Sequence, residues 1–114
     1  MASTRDPNDE DLVTERIRAQ ASAENVRLTL HAHQEMAEER ITLDELLEAL
    51  NRGQILENYP VHRRGACCLL HGVTDTGRHL HVVCTTERPA LIIITVYEPG
   101  PPKWVTPTER SSKP

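Results

Sequence analysis

The chain has 114 residues, of which 38% are hydrophobic, with no Phe and one Trp, and this composition fits a single small domain with a modest aliphatic core. Its longest apolar run, ALIIITV at 90–96, is too short to cross a bilayer, and its polar start differs from a signal peptide, so we expect a cytoplasmic protein without membrane contact. The net charge is −4, but five basic and four acidic residues lie between Gly53 and Trp104, a balance that permits nucleic-acid binding without favouring it.

Residues 1–25 form a polar N-terminal extension, which we expect to be partly helical. Val13, Ile17 and Ala21 are spaced four residues apart, and this spacing places them on one face of a helix. Because the apolar stripe is thin, the helix is expected to dock only loosely on the rest of the chain.

A strand and two helices are predicted next. The alternating segment VRLTL at 26–30 is typical of a short strand, and HAHQEMAEER at 31–40 is typical of a short helix. The segment TLDELLEALNRG has stronger helix signals, because Thr42 and Glu45 have the spacing of a capping box and Gly53 lies where the helix should end.

The second half of the chain is predicted to consist of four strands joined by short connections, at 54–60, 66–73, 78–86 and 91–99. Together with the preceding elements they predict an α+β domain over residues 26–104, in which the four later strands form an antiparallel meander with the helices on one face. The tail at 105–114 is rich in Pro and Ser, and we expect it to be disordered.

Turn lengths predict which residues of the sheet lie opposite one another. The three-residue loop at 75–77 places His71 opposite His81, and a five-residue loop after Thr85 places Thr95 opposite His81. Alternation then gives the sheet two different faces. The first is an apolar core face with Leu70, Leu80, Val82, Ile92, Ile94 and Val96. The second is a polar face with His71, His79, His81, Thr95 and Tyr97 around Leu69, Val83 and Ile93.

Three interpretations of the polar face remain open. Histidines that alternate on a solvent-facing strand often have no chemical role. Three histidines could instead bind zinc, although no carboxylate falls beside them to orient the ligands, and we assign no metal ligand. The third interpretation is acid–base cleavage of RNA, in which histidines transfer protons near neutral pH. Tyr97 would then stack on a base or donate a proton, and Arg78 would have to reach a phosphate from the opposite face.

Further candidate site residues lie outside the four strands. His31 follows the first strand and is expected to cap the helix or to reach the polar face. His33 does not share a helix face with His31 and is expected to be solvated. Arg63 and Arg64, in the loop before the second of the four strands, are candidate phosphate-binding residues beside an exposed His62.

Four motifs, in this order and spacing, resemble an uncharacterised bacterial domain family of unknown function that is grouped with RelE/ParE-like toxin ribonuclease folds. They are LTLHAHQEMAEERI, GQILENYP, GRHLHVVC and IIITVYEPGPPKW. The resemblance covers residues 26–104 and implies a RelE-like arrangement of a strand, two helices and an antiparallel sheet. The positions that match the family are His31, Met36, Ile41, Gly77, Arg78, His81, Thr95, Tyr97, Pro99 and Trp104.

The chain departs from the family pattern in the first helix after the strand. Glu35 and Glu39 stand where the family usually has arginines, and Arg40 stands in place of a glycine. Because two bases that would neutralise phosphate are replaced by acids, these departures disfavour RNA cleavage by this protein.

Two functions are therefore expected. The first is a toxin-like ribonuclease that needs no cofactor, with RNA as its substrate and an antitoxin protein as its partner. Its catalytic residues would be His31, His81, Thr95, Tyr97 and Arg78, and its binding residues His71, His79, Arg63 and Arg64. The second is a non-catalytic domain that binds a protein or ligand through the same face, which the net charge and the acidic helix favour. In either case we expect a monomer or weak dimer.

Overall fold

The computed structural model describes residues 10–63 and 65–111, so Arg64 lies outside the described residues. From the N-terminus the elements are α1 (Glu10–Ser22), β1 (Val26–Leu28), α2 (Leu30–Glu39), α3 (Leu43–Arg52), β2 (Gln54–Tyr59), β3 (Cys67–Val73), β4 (His79–Thr85), β5 (Leu91–Tyr97), β6 (Trp104–Thr106) and β7 (Glu109–Arg110). None of the described helices is both long and apolar enough to cross a membrane.

Five strands form one mixed sheet in the order β1-β5-β4-β3-β2. The pairs β2–β3, β3–β4 and β4–β5 are antiparallel, whereas β1 lies parallel to β5 at the edge of the sheet. The predicted α+β class is confirmed, but the sheet differs from the predicted set of four antiparallel strands because β1 joins it. A three-residue strand carries too little local pattern to identify its partner, which packing selects.

The helices begin where short polar side chains satisfy free backbone N–H groups. Thr42 accepts a hydrogen bond from the Glu45 N–H at 3.1 Å and Glu45 accepts one from the Thr42 N–H at 3.0 Å, which confirms the predicted capping box of α3. Thr29 caps α2 by accepting from the Ala32 N–H at 3.1 Å. The apolar sides of both helices join one face of the sheet in a single core.

Helix α1 packs more closely than its thin apolar stripe predicted. Val13, Ile17 and Ala21 are each at most 2% exposed and belong to the main core. The Arg18 guanidinium adds a long-range contact by donating to the Gly53 carbonyl at 3.1 Å. The helix therefore contributes to the packed domain.

The register of β3 with β4 is the predicted one, whereas that of β5 differs. His71 lies opposite His81, and Gly77 closes the hairpin in the left-handed conformation at φ 87°. On β5, Tyr97 rather than Thr95 lies opposite His81, and a bulge interrupts the pairing further back along the strand.

The bulge reverses the two faces in the first half of β5. Ile93, predicted on the polar face, is buried in the core, whereas Ile92 and Ile94, predicted in the core, are partly exposed. Thr95 and Tyr97 keep their predicted face, because a shift of two residues preserves the alternation.

The C-terminal residues form a second, two-stranded sheet of β6 and β7. The composition of residues 105–114 predicted disorder, and the structure differs because Trp104 and Arg110 contact side chains of the main sheet. These contacts join residues that are far apart in the sequence, so the composition of the segment cannot predict them. Residues 112–114 lie outside the described residues.

Arg40 is the C-cap that follows α2, and it adopts the left-handed conformation with φ 54° and ψ 48°. This is the position at which the family resemblance leads us to expect glycine. A residue with a Cβ adopts this conformation at a cost of about 1–2 kcal/mol, so the end of α2 is a strained point of the backbone.

Arg40→Gly is expected to stabilise the fold by about 0.5–1 kcal/mol, because relief of the left-handed strain exceeds the entropy that Gly adds to the unfolded chain. Urea denaturation followed by circular dichroism would show a higher midpoint at an unchanged slope. Arg40→Ala removes the same side chain but keeps a Cβ, so it should give no such gain. An equal gain in both variants would assign the effect to the side chain instead.

Candidate functional site

The sheet face opposite the helices, here called the distal face, carries the predicted polar residues. Cross-strand pairing places His71 opposite His81 and His81 opposite Tyr97, while Thr95 lies opposite Val83. His79 lies two residues before His81 on β4 and shares its face. The five predicted residues of the polar face therefore share one surface of the sheet.

His81 lies at the centre of the distal face and is fully buried. Its Nε2 donates to the Pro107 carbonyl at 2.6 Å, which leaves Nδ1 to accept a hydrogen bond from the Tyr97 hydroxyl at 3.2 Å. Burial lowers the pKa of His81, so the ring is neutral at pH 7. Both ring nitrogens are therefore bonded within the fold.

The C-terminal hairpin at 104–110 covers His81 and is here called the roof. The Trp104 indole contacts the His81 ring edge to face, with centroids 4.4 Å apart and planes at 89°. Arg110 lies 4.7 Å from the centroid of the Trp104 ring and forms a bidentate ion pair with Glu57 of β2. The hydrogen bond from Arg110 lowers the pKa of Glu57 to about 2. This ion pair anchors the roof to β2.

His71 and His79 form a pair of imidazoles on the distal face. Nε2 of His71 lies 2.8 Å from Nδ1 of His79, with the ring planes 7° apart. Burial and the nearby charge of His79 lower the pKa of His71. Within residues 10–63 and 65–111, no group of three or more His, Cys, Asp or Glu side chains is arranged to hold a metal ion. Of the three histidines considered for zinc, only His71 and His79 bring ring nitrogens into contact, and two nitrogens are fewer than the three protein ligands of a catalytic zinc site.

A separate cleft, here called the α2 cleft, brings together three of the predicted site residues. It has a volume of about 640 Å³ and is lined by His31, Val61, His62, Arg63, Ile94 and Thr95. The start of α2 supplies His31, the loop before β3 supplies His62 and Arg63, and β5 supplies Thr95. The two histidines and the arginine are exposed, so a ligand in the cleft would meet all three.

Glu35 lies behind two side chains of the α2 cleft. Its Oε1 is 3.3 Å from Nε2 of His31, one helical turn earlier, and it accepts a hydrogen bond from the Thr95 hydroxyl. The Glu35 carboxylate therefore connects the imidazole of His31 on α2 with the hydroxyl of Thr95 on β5.

The same carboxylate helps to complete the open edge of β5. Strand β1 ends opposite Ile93, and beyond this point Glu35 accepts from the Val96 N–H at 3.1 Å and Glu39 from the Glu98 N–H at 3.0 Å. The two acids take the place of a neighbouring strand. Arginine has no acceptor, so it could not make these bonds, and the two departures from the family pattern have a structural role here.

Arg78 does not line the α2 cleft. Its guanidinium donates to the backbone carbonyls of Glu39 and Arg40 at the end of α2, and to the carboxylates of Glu45 and Glu98. These bonds satisfy carbonyl groups that a helix end leaves without partners. The position of Arg78 is that of a residue holding α2, α3 and the end of β5 together.

Several residues that build these sites were not found from the sequence. Pro107 and Arg110 lie in the segment predicted to be disordered, and Glu57, although it lies within the motif GQILENYP, was not predicted as a site residue. Glu35 had a usable signal, because its spacing of four residues from His31 places both on one helix face. In the family pattern this position is an arginine, which does not point to a carboxylate bonded to His31.

The chain was also compared with known proteins. A family model described as a domain of unknown function, DUF4258, matches residues 28–98. The chain belongs to this family. Membership of an uncharacterised family, expected from the motifs, is confirmed. No curated protein and no solved structure matches the chain. The DUF4258 match includes the α2 cleft and His81, whereas α1 and the roof lie outside it.

Proposed function

We propose that this DUF4258 protein is a toxin-like ribonuclease of the RelE/ParE-like type, which cleaves RNA in the cytoplasm without a metal ion. The observation that carries the proposal is the meeting of His31, His62 and Arg63 in the open α2 cleft. Attack by an RNA 2′-hydroxyl on its own phosphate needs a base, an acid and a cation for the phosphate charge. The α2 cleft offers one side chain for each of these roles.

In the proposed reaction the 2′-oxygen bonds to phosphorus while the bond from phosphorus to the 5′-oxygen breaks. His31 takes the 2′ proton, and His62 gives a proton to the departing 5′-oxygen. Arg63 neutralises the negative charge that builds on the phosphate oxygens. The products are a 2′,3′-cyclic phosphate and a 5′-hydroxyl.

Glu35 positions His31 for the role of base. With Nε2–H directed at the Glu35 carboxylate, 3.3 Å away, Nδ1 is the nitrogen left to accept a proton. The carboxylate then stabilises the imidazolium that forms. The Thr95 hydroxyl and the Val96 N–H hold the carboxylate in place.

The remaining predicted site residues have supporting roles in this proposal. His81 and Tyr97 hold the roof on the distal face, and Arg78 holds the end of α2. His71 lines a smaller cleft of about 310 Å³ with Arg52 and Gln54, where it and its partner His79 remain candidates for binding.

The test is cleavage of a single-stranded RNA by the purified protein in the presence of EDTA. We expect 2′,3′-cyclic phosphate ends, no cleavage of the all-deoxy strand of the same sequence, and a loss of roughly 10²–10³-fold in rate for His31→Ala. The matched control is His33→Ala, since His33 is an exposed histidine on the same helix, and it should cleave at the wild-type rate. Equal losses in the two variants would remove His31 from the mechanism, and cleavage only with added metal would refute the proposal.

A non-catalytic binding domain is the second candidate, and the bonding of His81 and Arg78 favours it. Both ring nitrogens of His81 are used within the fold, and Arg78 donates to four acceptors, so two positions that match the family motif serve stability. In this case an antitoxin-like protein would cover the α2 cleft of a monomer or weak dimer. A stable complex with the product of an adjacent gene, together with absence of RNA cleavage, would support this candidate.

A further inference from the structure

A second pocket adjoins the α2 cleft on the same side of β5, and it is here called the Arg88 pocket. It has a volume of about 270 Å³ and is lined by Thr29, Thr85, Arg88, Ile92 and Ile94. Ile94 also lines the α2 cleft, so the two spaces meet along β5. The volume lies near the lower end of small-molecule sites, about 300–1,000 Å³, and suits one nucleotide unit better than several.

The charge of this surface is opposite to that of the whole chain. The protein has a net charge of −4, yet none of the residues that line the two pockets is acidic. Arg63 stands in one pocket and Arg88 in the other, and Arg27 of β1 pairs in register with Ile92 at the side of the second. A Cβ built on Gly65 would lie 3.7 Å from Nη2 of Arg88, so this guanidinium extends towards the loop that bears Arg63.

The inside of the Arg88 pocket combines an apolar floor with one hydroxyl donor. Ile92 and Ile94 face outward because the bulge in β5 turns Ile93 into the core. The Thr85 hydroxyl accepts a hydrogen bond from the Ile92 N–H at 3.0 Å, and its own hydrogen is then available to a ligand. An apolar surface for a base, a hydroxyl and a guanidinium match the parts of a nucleotide.

We propose that the Arg88 pocket is a subsite for the nucleotide next to the cleaved phosphate, in which Arg88 binds the following phosphate and Ile92 and Ile94 contact the base. The occupant is single-stranded RNA, which lies along β5 from Arg63 to Arg88. The position of the subsite next to the cleaved bond rests on the proposed function. RNA binding by Arg88 does not, because it can be measured without cleavage.

The test uses 2′-O-methyl uridine oligomers, which bind like RNA but lack the attacking hydroxyl. Fluorescence anisotropy would give the Kd of a labelled hexamer and a labelled dinucleotide for the wild type and for Arg88→Gln. We expect the variant to bind the hexamer about tenfold more weakly, with a salt-dependence slope smaller by about 0.7, as for the loss of one phosphate contact on a single strand. The dinucleotide, with its single phosphate in the α2 cleft, should bind equally to both.

The matched control is Lys103→Gln, because Lys103 is an exposed cation just before the roof and lines neither pocket. It makes the same change of charge and should leave both Kd values unchanged. Urea denaturation of all three proteins would show whether the fold is retained.

Each outcome separates the subsite from the catalytic proposal. Three outcomes would overturn the subsite. Arg88→Gln could bind the hexamer as tightly as the wild type does, it could bind the hexamer and the dinucleotide with equally weakened affinity, or the wild type could bind neither oligomer. If natural RNA is cleaved while Arg88→Gln has no effect, the proposed function stands and the subsite falls. If the expected binding pattern appears without cleavage, RNA binding at the Arg88 pocket stands and the catalytic proposal falls.

Discussion

Gly72→Ala is expected to destabilise the fold by about 3 kcal/mol, at the upper end of the usual range for overpacked cores. Gly72 lies on β3 beneath α3, and a Cβ at this position would lie 2.7 Å from the carbonyl carbon of Ala49 and 2.8 Å from its Cα. Because these are backbone atoms, no side-chain rotation can relieve the clash, and α3 would have to move away from the sheet. Urea denaturation followed by circular dichroism measures the loss.

Gly100→Ala is the control for this prediction. No atom lies within 4 Å of a Cβ built at Gly100, and its φ is not positive, so we expect a change below about 0.5 kcal/mol. If Gly72→Ala were as stable as Gly100→Ala, the close approach of α3 to β3 would be wrong. The packing that isolates the distal face from the helices would then need revision as well.

Lowering the pH from 7 to 5 is expected to weaken the attachment of the roof. Burial lowers the pKa values of His71 and His81 in the folded chain, so the unfolded chain binds protons at these residues first, near pH 6.5. Their contribution to stability is complete above about pH 6.5 and is lost as the pH falls below it. The sole tryptophan, Trp104, contacts His81, so its fluorescence should shift to the red over this range.

A second loss is expected at lower pH from the ion pair that anchors the roof. The pKa of Glu57 is lowered from 4.5 to about 2, chiefly by Arg110, so this contribution is complete above 4.5 and disappears as the pH falls towards 2. The Tyr97 hydroxyl, which also faces His81, has a raised pKa and stays protonated throughout.

His81→Gln separates the two steps. This variant should show a smaller change between pH 7 and 5, because one of the two histidines no longer titrates, and should keep the change below pH 4.5. His33→Gln, on the exposed side of α2, should behave like the wild type. A wild-type urea midpoint and Trp104 emission that stay constant from pH 7 to 5 would show that the burial of His81 does not couple to the roof.

Features encoded within a few consecutive residues were predicted well. The capping box of α3 depends on two side chains three residues apart, and the turn of the β3–β4 hairpin depends on Gly77 in a short loop. The opposition of His71 and His81 follows directly from that turn. In each case the partners are near neighbours in the chain, so geometry leaves few alternatives.

The register of β5 was harder to predict from the sequence, because the connection between β4 and β5 contains no turn motif that specifies the pairing. The bulge near Ile94 is an additional residue that no alternation pattern reveals, and it decides which isoleucines face the core. Ile92 and Ile94 consequently line the Arg88 pocket instead of the core.

The sequence alone was sufficient for the α+β class, for the membership of His71, His79, His81, Thr95 and Tyr97 in one face, and for the start of α3. These features arise from alternation, capping and turn length, which act over short distances along the chain. The tertiary structure was needed to bury His81 beneath the roof, to bring Glu35 to Thr95 and to bring His62 and Arg63 to His31. These contacts join residues that are remote in sequence, and they exist only because the core positions α2, β5 and the loop before β3 around one another.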